Sequence, residues 1–235
     1  MNQSERLIAE YLAHAGYSNV VHEPDGKHPP DFLIEGRIAV EVRRLNQNVQ
    51  TGAVTRGLEE TAIPLNRSVA KVLASMGAPV DGVSWFVLYS FQRPLPSWQE
   101  LEWSLRAALV NATVTGIDEG ESVQIAHGFS VRFYRASGQH RLQFILGGSA
   151  DHDAGGFVVA ELARNLTICV AEKAGKIARV RSRYPEWWLA LDDRIGYGTL
   201  DTTDREQLRT VFKAEAPWDR IVLVNPVDAS SGFDL

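Results

Sequence analysis

Residues 29–44 (Pro-Pro-Asp-Phe-Leu-Ile-Glu-Gly-Arg-Ile-Ala-Val-Glu-Val-Arg-Arg) constrain the fold more tightly than any other part of the chain. Two adjacent prolines forbid helix and force an extended entry. Short strands are predicted over residues 31–34 and 37–45, hinged at Glu35-Gly36. The second strand carries Glu41 among Ile38, Ala39, Val40 and Val42. A carboxylate in a run that otherwise belongs to a buried strand is costly unless it is paired or holds a metal. Asp31 opens the first strand, so a hairpin can bring both carboxylates to one end of a sheet.

The flanking sequence supplies helices and more strands. Residues 4–15 read as a helix, with Ser4 as the cap, Glu5 in the positive first turn, and Leu7, Ile8, Tyr11, Leu12 and Ala15 at helical spacing. A short strand over 18–22 precedes the prolines. Residues 46–52 are polar and read as loop, and 58–76 as a helix that Pro64 kinks or delays. Residues 83–91, with Trp85, Phe86, Val87, Leu88 and Tyr89 in unbroken succession, read as a strand buried on both faces. Further on, a helix is predicted over 98–110, and an antiparallel pair over 122–135 and 140–146, turning at Ser137-Gly138. A glycine-rich loop follows over 147–156, then a long helix over 157–179, a strand over 187–191, a helix over 204–212 capped by Asp204, and a strand over 220–224 before a small-residue tail.

With 235 residues, 45% of them apolar, the chain can bury a real core and is read as a single domain, 1–235. The formal net charge of -5 argues against coating nucleic acid by bulk charge, although a local basic face remains open. Cys169, the single cysteine, excludes an internal disulfide, and the polar start lacks the shape of a signal peptide. No apolar run reaches the ~20 residues of a membrane span. These features give the expectation of a soluble, cytoplasmic protein with no membrane partner.

Two hard oxygen ligands from Asp31 and Glu41 suit magnesium (or manganese), which keeps several waters and completes its shell from phosphate oxygens. Such an ion polarises a phosphoryl group and activates water, so the chemistry implied is phosphodiester hydrolysis. The competing reading is that Asp31 caps a strand end and Glu41 pairs with Arg37 or Arg43.

Pro30-Asp31 followed across a hairpin by Glu41-Val42-Arg43 resembles the PD-(D/E)xK phosphodiesterase superfamily, the restriction endonuclease-like nucleases. The resemblance covers residues 4–91, where helix, three strands, helix and strand are read in the family's core order, and leaves 92–235 as an extension of the sheet. The fold it implies is α/β, a central mixed sheet flanked by helices. Glu5-Arg6-Leu7-Ile8 running to Gly16-Tyr17 looks like the first helix of archaeal-type Holliday junction resolvases. That likeness makes Glu5 the third acid of the site, with Glu10 the weaker substitute. The resemblance implies a metal-dependent DNA nuclease in which Asp31, Glu41 and the Val42 carbonyl hold the ion and Glu5, Asp31, Glu41 and Arg43 serve catalysis.

The chain departs from the family at Arg43, which stands where the family has lysine. Arginine can steady phosphate charge but stays protonated and cannot act as a base. Three alternatives stay open: Arg43 suffices as an electrostatic stabiliser, an ammonium arrives from another element such as Lys71, or the site only binds. The last makes the chain an inactive nuclease-like module for nucleic acid or a protein partner. Glu59 and Glu60 read as compensating a helix dipole.

Lys173, Lys176, Arg179 and Arg183, with Arg181 nearby, recur at three- and four-residue steps and form a candidate stripe for DNA phosphates, RNA being a second option. Tyr184, Trp187 and Trp188 follow it, and the tryptophans read mainly as core. Asp151-His152-Asp153 reads as part of a mobile surface loop, because neighbours on an extended chain point apart and rarely share one ion. A homodimer is left open.

Overall fold

The computed structural model describes residues 1–51, 54–116, 118–138, 140–213 and 216–235. In chain order its elements begin with α1 (Gln3–His14), β1 (Val20–His22), β2 (Phe32–Ile34), β3 (Ile38–Leu45), β4 (Asn48–Thr51) and β5 (Val54–Gly57). Next come α2 (Glu59–Ser75), β6 (Trp85–Phe91), α3 (Trp98–Thr115), β7 (Ser122–Ala126), β8 (Phe129–Arg135) and β9 (Phe144–Asp151). The chain closes with α4 (Val158–Ile177), β10 (Glu186–Asp193), α5 (Thr202–Val211), β11 (Arg220–Val224) and β12 (Gly232–Asp234). Among the described residues no helix is long and apolar enough to cross a membrane.

The architecture is α/β, and the chain divides into two compact units: Met1–Asn48 with Gly155–Leu235, and Val49–Ala154. The sequence was read as one domain with its core in residues 4–91. Instead, the helix and strand expected to complete that core, α2 and β6, belong to the second unit.

The first unit holds a six-stranded mixed sheet in the order β1-β2-β3-β10-β11-β12. Its first three strands are an antiparallel meander, β3, β10 and β11 run parallel, and β12 closes the far edge antiparallel. The turn between β2 and β3 has Glu35 at φ 52° and Gly36 at φ 70°, with the Arg37 N–H donating to the Ile34 carbonyl. Two successive positive φ values make it a type I′ turn, whose twist matches that of a hairpin. The sheet is covered on both faces. Leu7, Ile8, Tyr11 and Leu12 of α1 pack on Val40, Val42, Trp188, Ala190, Val222 and Val224. Leu162, Leu166 and Cys169 of α4 pack on Ala39, Trp187, Leu189, Leu191, Ile221 and Leu223 of the opposite face. Strands β3 and β10 therefore read as near-continuous apolar runs, as parallel strands covered on both sides must.

Two helix caps differ from expectation. Asn2, not Ser4, caps α1 in a reciprocal box with Glu5, and Asp201 caps α5 with Asp204 as its partner three residues on. Ser4 lies inside the first turn and donates instead to Asp192.

The second unit holds a four-stranded sheet, β7-β8-β6-β9, with α2 and α3 packed on its core residues. β6 is not buried on both faces: Val87, Tyr89 and Phe91 point into the core while Leu88 is exposed. The segment read as one strand over 122–135 is a hairpin of its own, turning at Gly128, where φ is 68°. Its expected partner is displaced to β9, which runs parallel to β6 and absorbs the first half of the glycine-rich stretch. Asp151 and Asp153 are tied down there by Arg93, whose Nη1 donates to both at 2.7 and 2.9 Å. The segment read as loop over 46–52 contributes β4, paired with β5 in a two-stranded ribbon, and residue 52 lies outside the described residues.

Cys169 is fully buried under α4, and burial pushes its thiol up to about 11 from 9.0. A group protonated more strongly in the folded state contributes stability below its unfolded pKa, and that contribution is lost as pH rises from about 9 to about 11. At pH 8 the native thiol should react with a disulfide reagent at least ~100-fold more slowly than the urea-unfolded thiol, since only the thiolate attacks. Matched rates would place Cys169 in solvent.

Candidate functional site

The costly residue of the opening segment finds its partners on α4. Ala39, Glu41 and Arg43 alternate onto the face of β3 that α4 covers, and Glu41 is 0% exposed. Lys173 and Lys176, three residues apart, project from one face of α4 toward it. Lys173 Nζ donates to Glu41 Oε2 at 2.7 Å and Lys176 Nζ to the same oxygen at 3.1 Å. Glu41 Oε1 is buried and has no hydrogen-bond partner.

Asp31 joins the cluster from the other strand. β2 pairs with β3 as far as Phe32 opposite Val40. One step beyond, the Val42 N–H donates to Asp31 Oδ2 at 2.7 Å, and Lys173 Nζ stands 3.9 Å from the same oxygen. The Val42 carbonyl projects from the same edge of the strand as its N–H. The hairpin thus brings Asp31, Glu41 and Val42 together, as expected from the sequence.

The two lysines differ in setting. Lys173 has a side chain only 8% exposed, so its ammonium is enclosed between the two carboxylates, whereas Lys176 is 45% exposed at the rim. Partial burial alone would lower the Lys176 pKa, but the Glu41 carboxylate outweighs it and the net shift is upward. Lys176 is therefore a fixed cation at neutral pH and not a proton acceptor.

Other candidates are placed elsewhere. Arg43 is turned away: its Nε donates to Glu172 Oε2 at 3.2 Å and its Nη1 to the Arg44 carbonyl at 3.0 Å. Glu5 belongs to α1, on the opposite face of the sheet from Glu41, and its carboxylate closes the cap with Asn2 and meets His22 Nε2 at 3.3 Å. Burial opposes its ionisation, but the Asn2 N–H and His22 outweigh that and hold its pKa below the usual carboxylate value. It pairs with neither Asp31 nor any lysine among the described residues. Lys71, Glu59 and Glu60 lie on α2 in the other unit, where Glu60 accepts from the Gly57 N–H.

Of the basic stripe Lys176, Arg179 and Arg183 are exposed, Lys173 is buried, and the four do not share one helix face. α4 ends at Ile177, so Arg179, Arg181 and Arg183 leave its face. Arg183 pairs with Asp25 and Arg181 with Asp219, and Lys173 is committed to Glu41. The tryptophans are core, Trp187 fully and Trp188 nearly so. Sequence reasoning therefore gave Lys173 the wrong task. The signal for the right one was present: Leu162, Leu166, Cys169, Lys173 and Ile177 recur at helical spacing, which puts a lysine inside the buried stripe of α4. Asp192, fully buried at the end of β10 and held by Ser4 and by Arg194 at 2.8 Å, was also missed.

A buried carboxylate oxygen with no partner, beside a second carboxylate and a strand carbonyl, fits a hard divalent cation that retains waters. Among the described residues no group of three or more His, Cys, Asp or Glu side chains forms a metal cage, so such an ion would rest on two acids and a carbonyl. No protein-family model, curated protein or solved structure matches the chain.

Removing one partner of a buried ion pair strands the other charge. Lys173→Met should cost roughly 3 to 5 kcal/mol in urea unfolding, while the double variant Glu41→Leu/Lys173→Met should recover most of that loss. Additive losses would show that the two side chains do not interact.

Proposed function

We propose that the chain is a metal-dependent phosphodiesterase acting on DNA, built on the PD-(D/E)xK pattern with its ammonium supplied by α4 instead of by the residue after Val42. The supporting observation is the convergence of Asp31 and Lys173 on a fully buried Glu41 that keeps one oxygen unpartnered. Asp31, Glu41 Oε1 and the Val42 carbonyl are the groups that would hold magnesium or manganese. When bound, the ion polarises a phosphoryl oxygen and lowers the pKa of water.

The chain's own residues divide the remaining work. Lys173 fixes the Glu41 carboxylate through Oε2 and leaves Oε1 without a protein partner. Asp31 is oriented by the Val42 N–H. Lys176, a permanent cation at the rim, is the group that can meet a phosphate and steady charge building on its oxygens. Arg43, held by Glu172, is a positioning residue for the face of α4 and takes no direct part. The core order helix, three strands, helix, strand is then completed by α1, β1 to β3, α4 and β10, with the second unit set into the crossover.

A second reading is favoured by the charge count. Asp31, Glu41, Lys173 and Lys176 sum to zero without any metal, as a nuclease-like binding module with a sealed site would require. Manganese binding decides between them: a saturable rise in thermal midpoint, lost in Asp31→Asn, supports the enzyme, and no rise supports the sealed cluster.

With magnesium or manganese the purified protein should nick plasmid or cut branched or single-stranded DNA. Asp31→Asn and Glu41→Gln should abolish cutting, Lys176→Ala should slow it about 100-fold, and Arg43→Ala should change it only several-fold. Cleavage that persists in both acid variants and in excess chelator would overturn the proposal.

A further inference from the structure

A cleft of about 420 Å³ in the second unit is walled by Pro64, Leu65, Leu95 and Trp98, but its one buried cation, Arg93, is already engaged by Asp151 and Asp153. A different cleft, in the first unit, has an unused cation. It measures about 370 Å³ and lies between the first turn of α1 (Asn2, Gln3, Ser4) and residues Val42, Arg43 and Arg44 of β3. It adjoins the acidic pair through Val42, whose N–H is bound to Asp31.

Arg44 alternates onto the α1 face, level with Asp192. Its Nε is buried and has no hydrogen-bond partner, and no carboxylate among the described residues pairs with its guanidinium. Asp192, the nearest acid in the register, accepts from Ser4 through Oδ2 and stands 2.8 Å from Arg194 Nε through Oδ1, which makes no hydrogen bond. Arg43 is likewise spoken for by Glu172. A guanidinium N–H withdrawn from water without an acceptor is unfavourable, and a guanidinium fork matches phosphate oxygens better than any other side chain. The exposed carboxamide of Gln3 adds a donor on the opposite wall, while the end of α1 itself is already capped by Asn2 and Glu5.

We infer that this cleft seats a second phosphate of the substrate strand, some way along it from the one cleaved, with Arg44 as its principal ligand. This rests on the nuclease reading and deepens it. Two phosphate seats, one at Lys176 on the α4 face and one at Arg44 on the α1 face, straddle the edge of β3 where Asp31 and Val42 meet. The substrate is then a polynucleotide strand and not a phosphate monoester, and Arg44 sets its register.

The test uses the full chain and a fluorescent single-stranded DNA oligonucleotide, with binding read by anisotropy in calcium and cleavage read separately in magnesium. A neutral methylphosphonate is walked through the strand one position at a time. For the wild type, substitution at one position, away from the cut, should weaken binding about tenfold, the loss of one charge-assisted contact. Arg44→Gln should bind unmodified DNA about tenfold more weakly, lose sensitivity at that position alone, and have a salt slope smaller by about 0.7. Arg44→Lys should keep the slope, which separates lost charge from a folding defect. Equal sensitivity of wild type and Arg44→Gln at every position, or no DNA binding at all, would overturn the seat. Binding with the expected pattern but no cleavage in any metal would overturn the nuclease reading and leave the seat standing.

Discussion

The ion pair between Glu41 and Lys173 is the constraint around which the first unit is built. β3 is a central strand, antiparallel to β2 on one side and parallel to β10 on the other, with α1 and α4 over its faces. Such a strand should be apolar throughout, and Ile38, Ala39, Val40 and Val42 obey. An ionised carboxylate there carries a desolvation penalty of several kcal/mol, which only a well-placed counter-charge offsets. α4 must therefore lie in the one register that sets Lys173 over Glu41. The lysine stem serves the packing as well, because its methylenes continue the apolar stripe of the helix while its head reaches the acid.

That register in turn decides what else can face the acids. With Lys173 fixed, Lys176 is one turn further along the same face and reaches the same oxygen from the solvent side. Glu172, one position back, is brought to Arg43 and removes it from the site. Arg43 is thus held by Glu172, away from the two acids. The helix supplies an ammonium where the strand does not.

Local elements were largely legible in the sequence, because periodicity, prolines and caps act over a few residues. The hairpin of residues 29–44, α1, α4, β10 and β11 follow directly from the patterns of Leu7, Ile8, Tyr11 and Leu12 or of Trp187 to Leu191. Pairing was not legible. The parallel neighbour of Glu41 is Leu189, far along the chain, and nothing in the intervening residues signals that Val49–Ala154 forms a unit with its own core. Reading outward from the motif, α2 and β6 are the first helix and strand encountered and have acceptable composition, so they took the places that belong to α4 and β10. The same error hid the lysine. A basic residue every three or four positions looks like a solvent-facing stripe until its neighbours Leu166, Cys169 and Ile177 are assigned to the core.

Stability alone does not account for this arrangement. A buried ion pair seldom outperforms a hydrophobic pair of similar volume, and here a Leu and a Met would fill the space between β3 and α4 without desolvating two charges. They would also remove the unpartnered Glu41 Oε1; Arg44 Nε, three residues on and on the opposite face of the strand, is unpartnered as well. Well-folded chains break the rule of polar satisfaction where strain, an ordered water, an ion or a ligand accounts for it. Two such breaks on β3, one anionic and one cationic, call for complementary ligands: a cation for the carboxylate and an anion for the guanidinium. Under the proposed function a metal ion on a phosphate chain would supply both at once.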